Sequence, residues 1–234
     1  MVEDADAVRG GLRLLDAALD DLLPPVQRFD SGVTGLSEAA EEAFAGEAAR
    51  RPGADLLRRL SMSVPIPSGA VGTEIAVPVP DLRPVRTDEV AIAELQALDA
   101  RAFRGTVDES LLAESPTENA RLLAQLMDGT LGRFLPTASR ALLDPAGAPV
   151  AAILVAEPSA REAAFLDAVV DPSWRRRGLG SYLFRWSLRS LQSLGFATGH
   201  LWVTEGNAAA RGLYDGLGFR PTGRSVIFRW RRPP

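Results

Sequence analysis

Apolar and polar positions follow two different rhythms along this chain. Between residues 5 and 23, Ala, Leu and Val recur three and four apart, the spacing of one helical face, and Pro24-Pro25 ends the run. Residues 37–50 are rich in Ala and Glu and open at Ser37, a helix-capping residue type. Pro52-Gly53 breaks that segment, and 54–61 reads as another short helix. Residues 62–80 carry Pro65, Pro67, Pro78 and Pro80 with Gly69 and Gly72. They read as a turn-rich connector with a short edge strand near 73–77.

Past residue 80 short apolar runs take turns with helical patterns. Leu82–Arg86 reads as a strand, and Thr87 or Asp88 as the cap of a helix reaching about 101. A second helix spans 117–128, starting at Thr117 behind Pro116. Ala138–Leu143 and Pro149–Glu157 flank Asp144-Pro145-Ala146-Gly147-Ala148, a hairpin connection of turn residues. Glu162–Val170 is a strand, Gly178–Leu194 a helix closed by Gly195, and His200–Thr204 a strand. Asn207–Leu217 is a helix closed by Gly218, and Val226–Arg229 a last strand. Strands interleaved with helices predict an α+β fold with a mixed sheet. The change in composition places a boundary near 80, dividing a mostly helical N-terminal extension, 1–80, from a domain over 81–234.

Composition narrows the chemistry. The 234 residues include no Cys, which excludes thiolate metal sites, disulfides and cysteine nucleophiles. His200 is the one His, so no site of several imidazoles can form within one chain. All 26 basic residues are Arg, which removes a P-loop lysine and a Schiff-base lysine. The net charge is −4, against a general nucleic-acid binder. Residues 1–80 hold 13 acidic groups and 7 Arg, and residues 81–234 hold 17 and 19, so an anionic ligand suits the second part better. The acidic start Met1-Val2-Glu3-Asp4 is unlike a secretory signal, and no apolar run approaches a membrane span, so a cytoplasmic protein without membrane contact is expected.

The chemistry concentrates in two stretches. In Val169-Val170-Asp171-Pro172-Ser173-Trp174-Arg175-Arg176-Arg177-Gly178-Leu179-Gly180-Ser181 an apolar strand runs through an Arg- and Gly-rich turn straight into a helix. A helix start offers unpaired N–H groups and partial positive charge, and Gly178 and Gly180 let a phosphate approach that backbone. Read alone, the stretch is either a diphosphate site or a surface Arg cluster on an ordinary turn. It is not a dinucleotide fingerprint, because Leu183 stands where the third glycine belongs. In the second stretch, Asn207 to Phe219, Asn207 is placed as a helix cap and Tyr214 lies two turns on along the same face. Read alone, these are a cap and a half-buried aromatic.

Together the two stretches resemble the GCN5-related N-acetyltransferase (GNAT) family. Arg175, Gly178 and Gly180 match its Arg/Gln-x-x-Gly-x-Gly/Ala motif. Asn207, Ala210, Leu213, Tyr214, Gly218 and Phe219 match its Asn-x-x-Ala-x-x-Leu-Tyr-x-x-x-Gly-Phe motif. The resemblance runs from about Leu82 to Trp230 and leaves 1–80 uncovered.

The resemblance implies a metal-free, acetyl-CoA-dependent N-acetyltransferase acting on a primary amine of a small molecule, peptide or protein. It places the cofactor's diphosphate on the N–H groups of Arg176, Arg177, Gly178, Leu179, Gly180 and Ser181, with Arg175 also among the cofactor-binding residues. It sets the pantetheine arm along Ala168, Val169 and Val170, with Asn207 on the other side. Backbone at Val169 is the expected oxyanion donor and Tyr214 the acid for the departing thiolate. The base departs from the family pattern. Trp202 stands where some members carry Glu on the fifth strand, and Ala164 and Leu166 where others carry Glu or His on the fourth. Asp167, turned into the cleft by a strand bulge, is the first choice, with Glu205, His200 or a water chain as alternatives. Residues 1–80 could cover the cleft, form a homodimer interface or attract a cationic acceptor. A different class, a non-catalytic acyl-CoA-binding or regulatory module with an N-terminal interaction segment, stays open.

Overall fold

The computed structural model describes residues 8–13, 28–34, 38–51, 53–69, 75–111 and 116–231. In chain order the strands are β1 (Arg28–Thr34), β2 (Ala54–Pro65), β3 (Arg83–Arg86), β4 (Arg133–Phe134), β5 (Arg140–Leu143), β6 (Pro149–Ser159), β7 (Glu162–Val170), β8 (Thr198–Thr204) and β9 (Arg220–Arg231). The helices are α1 (Glu38–Ala48), α2 (Ile92–Phe103), α3 (Pro116–Asp128), α4 (Leu179–Ser193) and α5 (Ala208–Gly216), and residues 8–13 are also helical. The chain divides into two compact units, one of residues 1–61, 202–206 and 221–234 and one of 62–201 and 207–220.

In the first unit β1 runs antiparallel to β9, from Arg28 opposite Arg231 to Thr34 opposite Ser225. That pairing extends β9 well beyond the strand read at 226–229. Val8, Ala40, Phe44, Ala48 and Phe228 form the core of this unit, with α1 supplying the residues spaced four apart. Residues 54–61 are strand rather than the short helix expected from Leu56, Leu57 and Leu60. The overlooked signal is alternation: Leu60, Met62 and Val64 are buried, and Ser61 and Ser63 between them are half-buried. Backbone bonding supports the strand, because the Arg58 carbonyl accepts from the Glu205 N–H at 2.9 Å. The expected helix over 14–23, its Pro24-Pro25 stop and the Ser37 cap lie outside the described residues. So does most of the expected edge strand at 73–77, of which 75–77 have no regular structure.

The second unit is built on a mixed sheet ordered β2-β8-β7-β6-β5-β3, with β4 paired to β6. β3, β5, β6 and β7 are joined antiparallel, and β7 and β8 run parallel. Leu95, Leu98 and Ala102 of α2 and Leu123 of α3 pack on Ala141, Leu143, Ala152 and Val169. Each fully buried Leu or Val side chain among these contributes about 1.5–3 kcal/mol. α4 packs on β6 and β7 and buries Leu179, Leu183, Phe184 and Leu191. Two polar links fix its roll. Arg140 donates to the Tyr182 hydroxyl at 2.7 Å and lies 3.5 Å over the Trp186 ring, and Ser187 donates to the Ala138 carbonyl at 2.7 Å.

Thr87 does not cap α2. Thr87–Glu89 form a 3-10 turn, and α2 begins at Ile92 behind Ala91. The buried Thr87 hydroxyl donates to the Ile153 carbonyl at 3.1 Å, which ties this turn to β6. Among the described residues no helix is long and apolar enough to cross a membrane, and no group of three or more His, Asp or Glu could hold a metal ion.

Candidate active site

All the parts described next, apart from Glu205 and its ion-pair partner Arg224, lie in the second unit. β7 and β8 are paired only from Glu162 opposite Thr198 to Ala164 opposite His200. Beyond that point β7 keeps its β6 partners, Ala168 opposite Ile153, Val169 opposite Ala152 and Val170 opposite Ala151. Its other edge has no strand partner among the described residues, so its N–H and C=O groups can pair with an extended ligand. The pairing with β6 shifts between Leu154 and Val155, which leaves Leu166 as the extra residue of a bulge. The bulge reverses the alternation of side chains. Phe165 packs on Phe184 of α4 at 4.9 Å between ring centroids, while Val169 joins the α2 and α3 cluster.

The turn after β7 is held from several sides. Asp171 accepts from the Ser173 N–H at 3.0 Å, the Ser173 hydroxyl at 2.6 Å and Arg101 Nε at 2.7 Å. Its burial works against ionisation, but these donors outweigh it and hold the carboxyl below its ordinary range. Arg175 donates from Nε to the Val170 carbonyl at 3.2 Å and from its terminal nitrogen to the Ala102 carbonyl at the end of α2. Its guanidinium therefore braces the turn. Arg177 lies 4.8 Å over the Trp174 ring, and Arg176 is exposed with a left-handed φ of 62°. Gly178 follows at φ 81°, a conformation that favours glycine, and its carbonyl accepts the N–H of Tyr182 at 2.9 Å. The amides of Leu179, Gly180 and Ser181 belong to the open first turn of α4.

α5 stands against this helix start: a Cβ on Gly180 would come 3.2 Å from Leu213. Asn207 caps α5, its Oδ1 accepting the Ala210 N–H at 3.0 Å. Its Nδ2 donates to Asp108 Oδ2 at 2.6 Å. Tyr214 is half-buried in an aromatic cluster, its ring 5.2 Å from Phe184 and 5.9 Å from Phe219. The structure therefore sets α5, which Asn207 caps and which carries Tyr214, against α4 at Gly180 and Phe184.

Asp167 sits just past the bulge, but its carboxyl faces a second acid rather than standing alone. Its partner is Asp99 of α2, 5% exposed, which also bonds Asn119 of α3. Burial, then the charge and hydrogen bond of Asp167, push Asp99 up to about 9, against a lowering bond from Asn119. Burial pushes Asp167 up to about 6, against its bonds to Asp99 and the Ala168 N–H. Asp167 Oδ2 is buried with no hydrogen-bond partner. Of the alternative bases, His200 is half-buried with Nε2 enclosed and without a partner, and Glu205 of the first unit is ion-paired to Arg224 at 3.3 Å. The pairing of Asp167 with Asp99 has no counterpart among the expectations drawn from the sequence. Asp99 had a signal: it falls on the stripe Leu95, Leu98, Ala102, where a charge interrupts an apolar helical face.

Comparison with known proteins agrees with this arrangement. Residues 93–219 match the family described as the acetyltransferase (GNAT) family. The ribosomal protein bS18-alanine N-acetyltransferase of Salmonella typhimurium is 39% identical over 70 residues, 30% of this chain and 47% of that protein. A mycothiol acetyltransferase of Nocardiopsis dassonvillei is 30% identical over 175 residues, 65% of this chain and 49% of that protein. The chain thus spans about half the length of these curated relatives. Among solved structures, a GCN5-related N-acetyltransferase from Sphaerobacter thermophilus has a TM-score of 0.66 at 16% identity, covering 97% of this chain and 67% of that one. That similarity concerns the fold. With the family match spanning more than half of its residues, and both motifs assembled around α4 and α5, the chain belongs to the GNAT acetyltransferase family.

Proposed function

We propose that the chain transfers the acetyl group of acetyl-CoA directly to a primary amine. One observation carries this reading: the β7 edge left unpaired beyond Ala164 ends at the glycine-opened start of α4, with Asn207 and Tyr214 on the adjoining α5. In this reading the diphosphate rests on the amides between Arg176 and Ser181, and the pantetheine arm pairs along Ala168–Val170. The exposed Arg176 and Arg177 add positive charge there, while Arg175 keeps the turn in shape. Acetyl-CoA brings an activated thioester; the protein's share is to orient it, stabilise negative charge and move protons. Backbone at Val169 is the candidate donor to the developing oxyanion.

Tyr214 serves as the acid. A phenol with an ordinary pKa of about 10 is protonated near neutral pH and can donate to the leaving sulfur. An alkyl amine with a pKa of about 10 arrives protonated, so a base is needed. Asp167 fits that need, because burial moves it up to about 6, closer to neutrality than an ordinary carboxyl. Residues 81–234 carry the transfer chemistry and 1–80 extend it, in a protein we place in the cytoplasm.

Titration calorimetry with acetyl-CoA and CoA tests the reading first, followed by thiol release in the presence of amines. Tyr214→Phe should lower kcat by about 10²-fold, within the range for loss of a general acid, with acetyl-CoA affinity within twofold of wild type. No affinity for any CoA species overturns the reading. Binding without amine-dependent thiol release across a broad panel replaces it with the non-catalytic acyl-CoA module.

A further inference from the structure

A cleft of about 370 Å3 opens in the second unit between the end of β2, the outer face of α4 and the end of α5. Its rim is stiff. Pro65 and Pro67 fix their own φ angles and carry no N–H, and between them Ile66 donates its N–H to the Ala197 carbonyl at 2.8 Å. Its floor is aliphatic. Val64 and Leu188 meet over Gly199, where a Cβ would lie 3.4 Å from one and 3.7 Å from the other. Leu217 continues this floor towards α5. There Gly216, the last residue of the helix, leaves room, because a Cβ on it would meet nothing within 4 Å. The cleft is preformed, apolar below and at the small end of the range for small-molecule sites, about 300–1,000 Å3.

The wall on α4 carries charge of one sign. Arg185, Leu188, Arg189 and Gln192 are spaced three and four apart and share one face of that helix. No Asp or Glu lines the cleft. Arg185 is exposed, with neither an ion-pair nor a hydrogen-bond partner among the described residues. A guanidinium offers donors only and matches a carboxylate in both charge and shape. Leu188 stands about 12 Å along α4 from Gly180, so the cleft is separate from the open first turn of that helix. We propose that this cleft is a second binding site and that its ligand is a small organic carboxylate. The anionic head pairs with Arg185 and Arg189, and the apolar body lies on Val64, Leu188 and Leu217. A bare anion leaves the aliphatic floor wet, and a neutral apolar molecule leaves Arg185 without a counter-charge. The two halves of the lining therefore select one amphipathic ligand. This site goes beyond the acetyl-CoA reading and does not depend on it.

Three probes separate the contributions: 4-phenylbutyrate, its neutral isostere 4-phenylbutyramide, and inorganic phosphate. Calorimetry on the full chain should show the acid binding about tenfold or more tighter than either the amide or phosphate, the scale of one charge-assisted hydrogen bond. Saturating CoA should change the affinity for the acid by less than about twofold, because the two sites are separate. Arg185→Glu reverses an exposed charge and should abolish the preference for the acid over the amide. Gly216→Leu fills the open space at the end of α5 and should weaken both organic probes by about tenfold or more. Equal affinities for acid and amide in the wild type overturn the inference, as does phosphate binding as tightly as the acid. Displacement of the acid by CoA overturns it by placing the probe in the other site. A preference that survives Arg185→Glu, binding unaffected by Gly216→Leu, or no binding of the acid at all also overturns it. Failure of the chain to bind CoA removes only the acetyl-CoA reading and leaves this inference standing.

Discussion

Replacing Asp99 by Asn should make the protein more stable, and increasingly so as pH rises. In the folded chain Asp99 is pushed up to about 9 by burial and by the adjacent Asp167. An unfolded aspartate titrates near 3.9. Between these values the folded state binds a proton that the unfolded state has released, so the stability tied to Asp99 is fully present below pH ~4 and is lost as pH climbs towards ~9. The slope is about 1.4 kcal/mol per pH unit, or about 4 kcal/mol between pH 5 and pH 8 for one fully buried proton. The amide of Asp99→Asn supplies a permanent N–H to Asp167 and preserves a partner for Asn119, without that proton uptake. Urea denaturation of wild type and variant at pH 5, 6.5 and 8 reads the effect of the acid pair, because titrating groups other than Asp99 and Asp167 largely cancel in the difference. The variant should gain about 2–4 kcal/mol on the wild type across this range. A difference that stays constant with pH, or moves the other way, refutes the shared-proton account of the two acids.

Two further substitutions probe the frame around the site. Arg175→Ala removes the brace between the Val170 and Ala102 carbonyls and should cost about 1–2 kcal/mol in thermal denaturation, whereas exposed Arg176→Ala should cost under about 0.5 kcal/mol. Equal losses would show that the Arg175 bonds do not hold the turn. At Gly199 a Cβ would lie 2.9 Å from the Phe165 ring, itself wedged against Phe184 and Phe219, so Gly199→Ala should destabilise by about 1–3 kcal/mol. An unchanged melting temperature would mean that the aromatic cluster can yield.

The motifs were readable because their chemistry depends on local geometry. A left-handed glycine must open α4 close behind β7, and an Asn must cap α5 two turns before Tyr214; both requirements are written in consecutive residues. What stayed hidden depends on partners remote in sequence. Residues 54–61 carry leucines at a spacing that suits a helix, and only their backbone pairing and the buried alternation at Leu60, Met62 and Val64 make them strand. The buried hydroxyl of Thr87 is held by Ile153, 66 positions later, so its capping role failed for a reason no local window contains. Asp167 was expected past a bulge, and the bulge is there at Leu166. The carboxyl facing it comes from Asp99, which the sequence offered only as a charge on an apolar stripe.

The pairing of β1 with β9 joins segments separated by roughly 200 residues, among the longest-range contacts a chain of this size can make. During synthesis β1 emerges roughly 200 residues ahead of the strand it pairs with. Closing so large a loop is slow, and a strand without its mate can pair with a neighbouring nascent chain. Removing β9 would therefore leave β1 orphaned, and poor recovery of soluble protein from such a deletion would follow from topology rather than from any loss in the catalytic cleft.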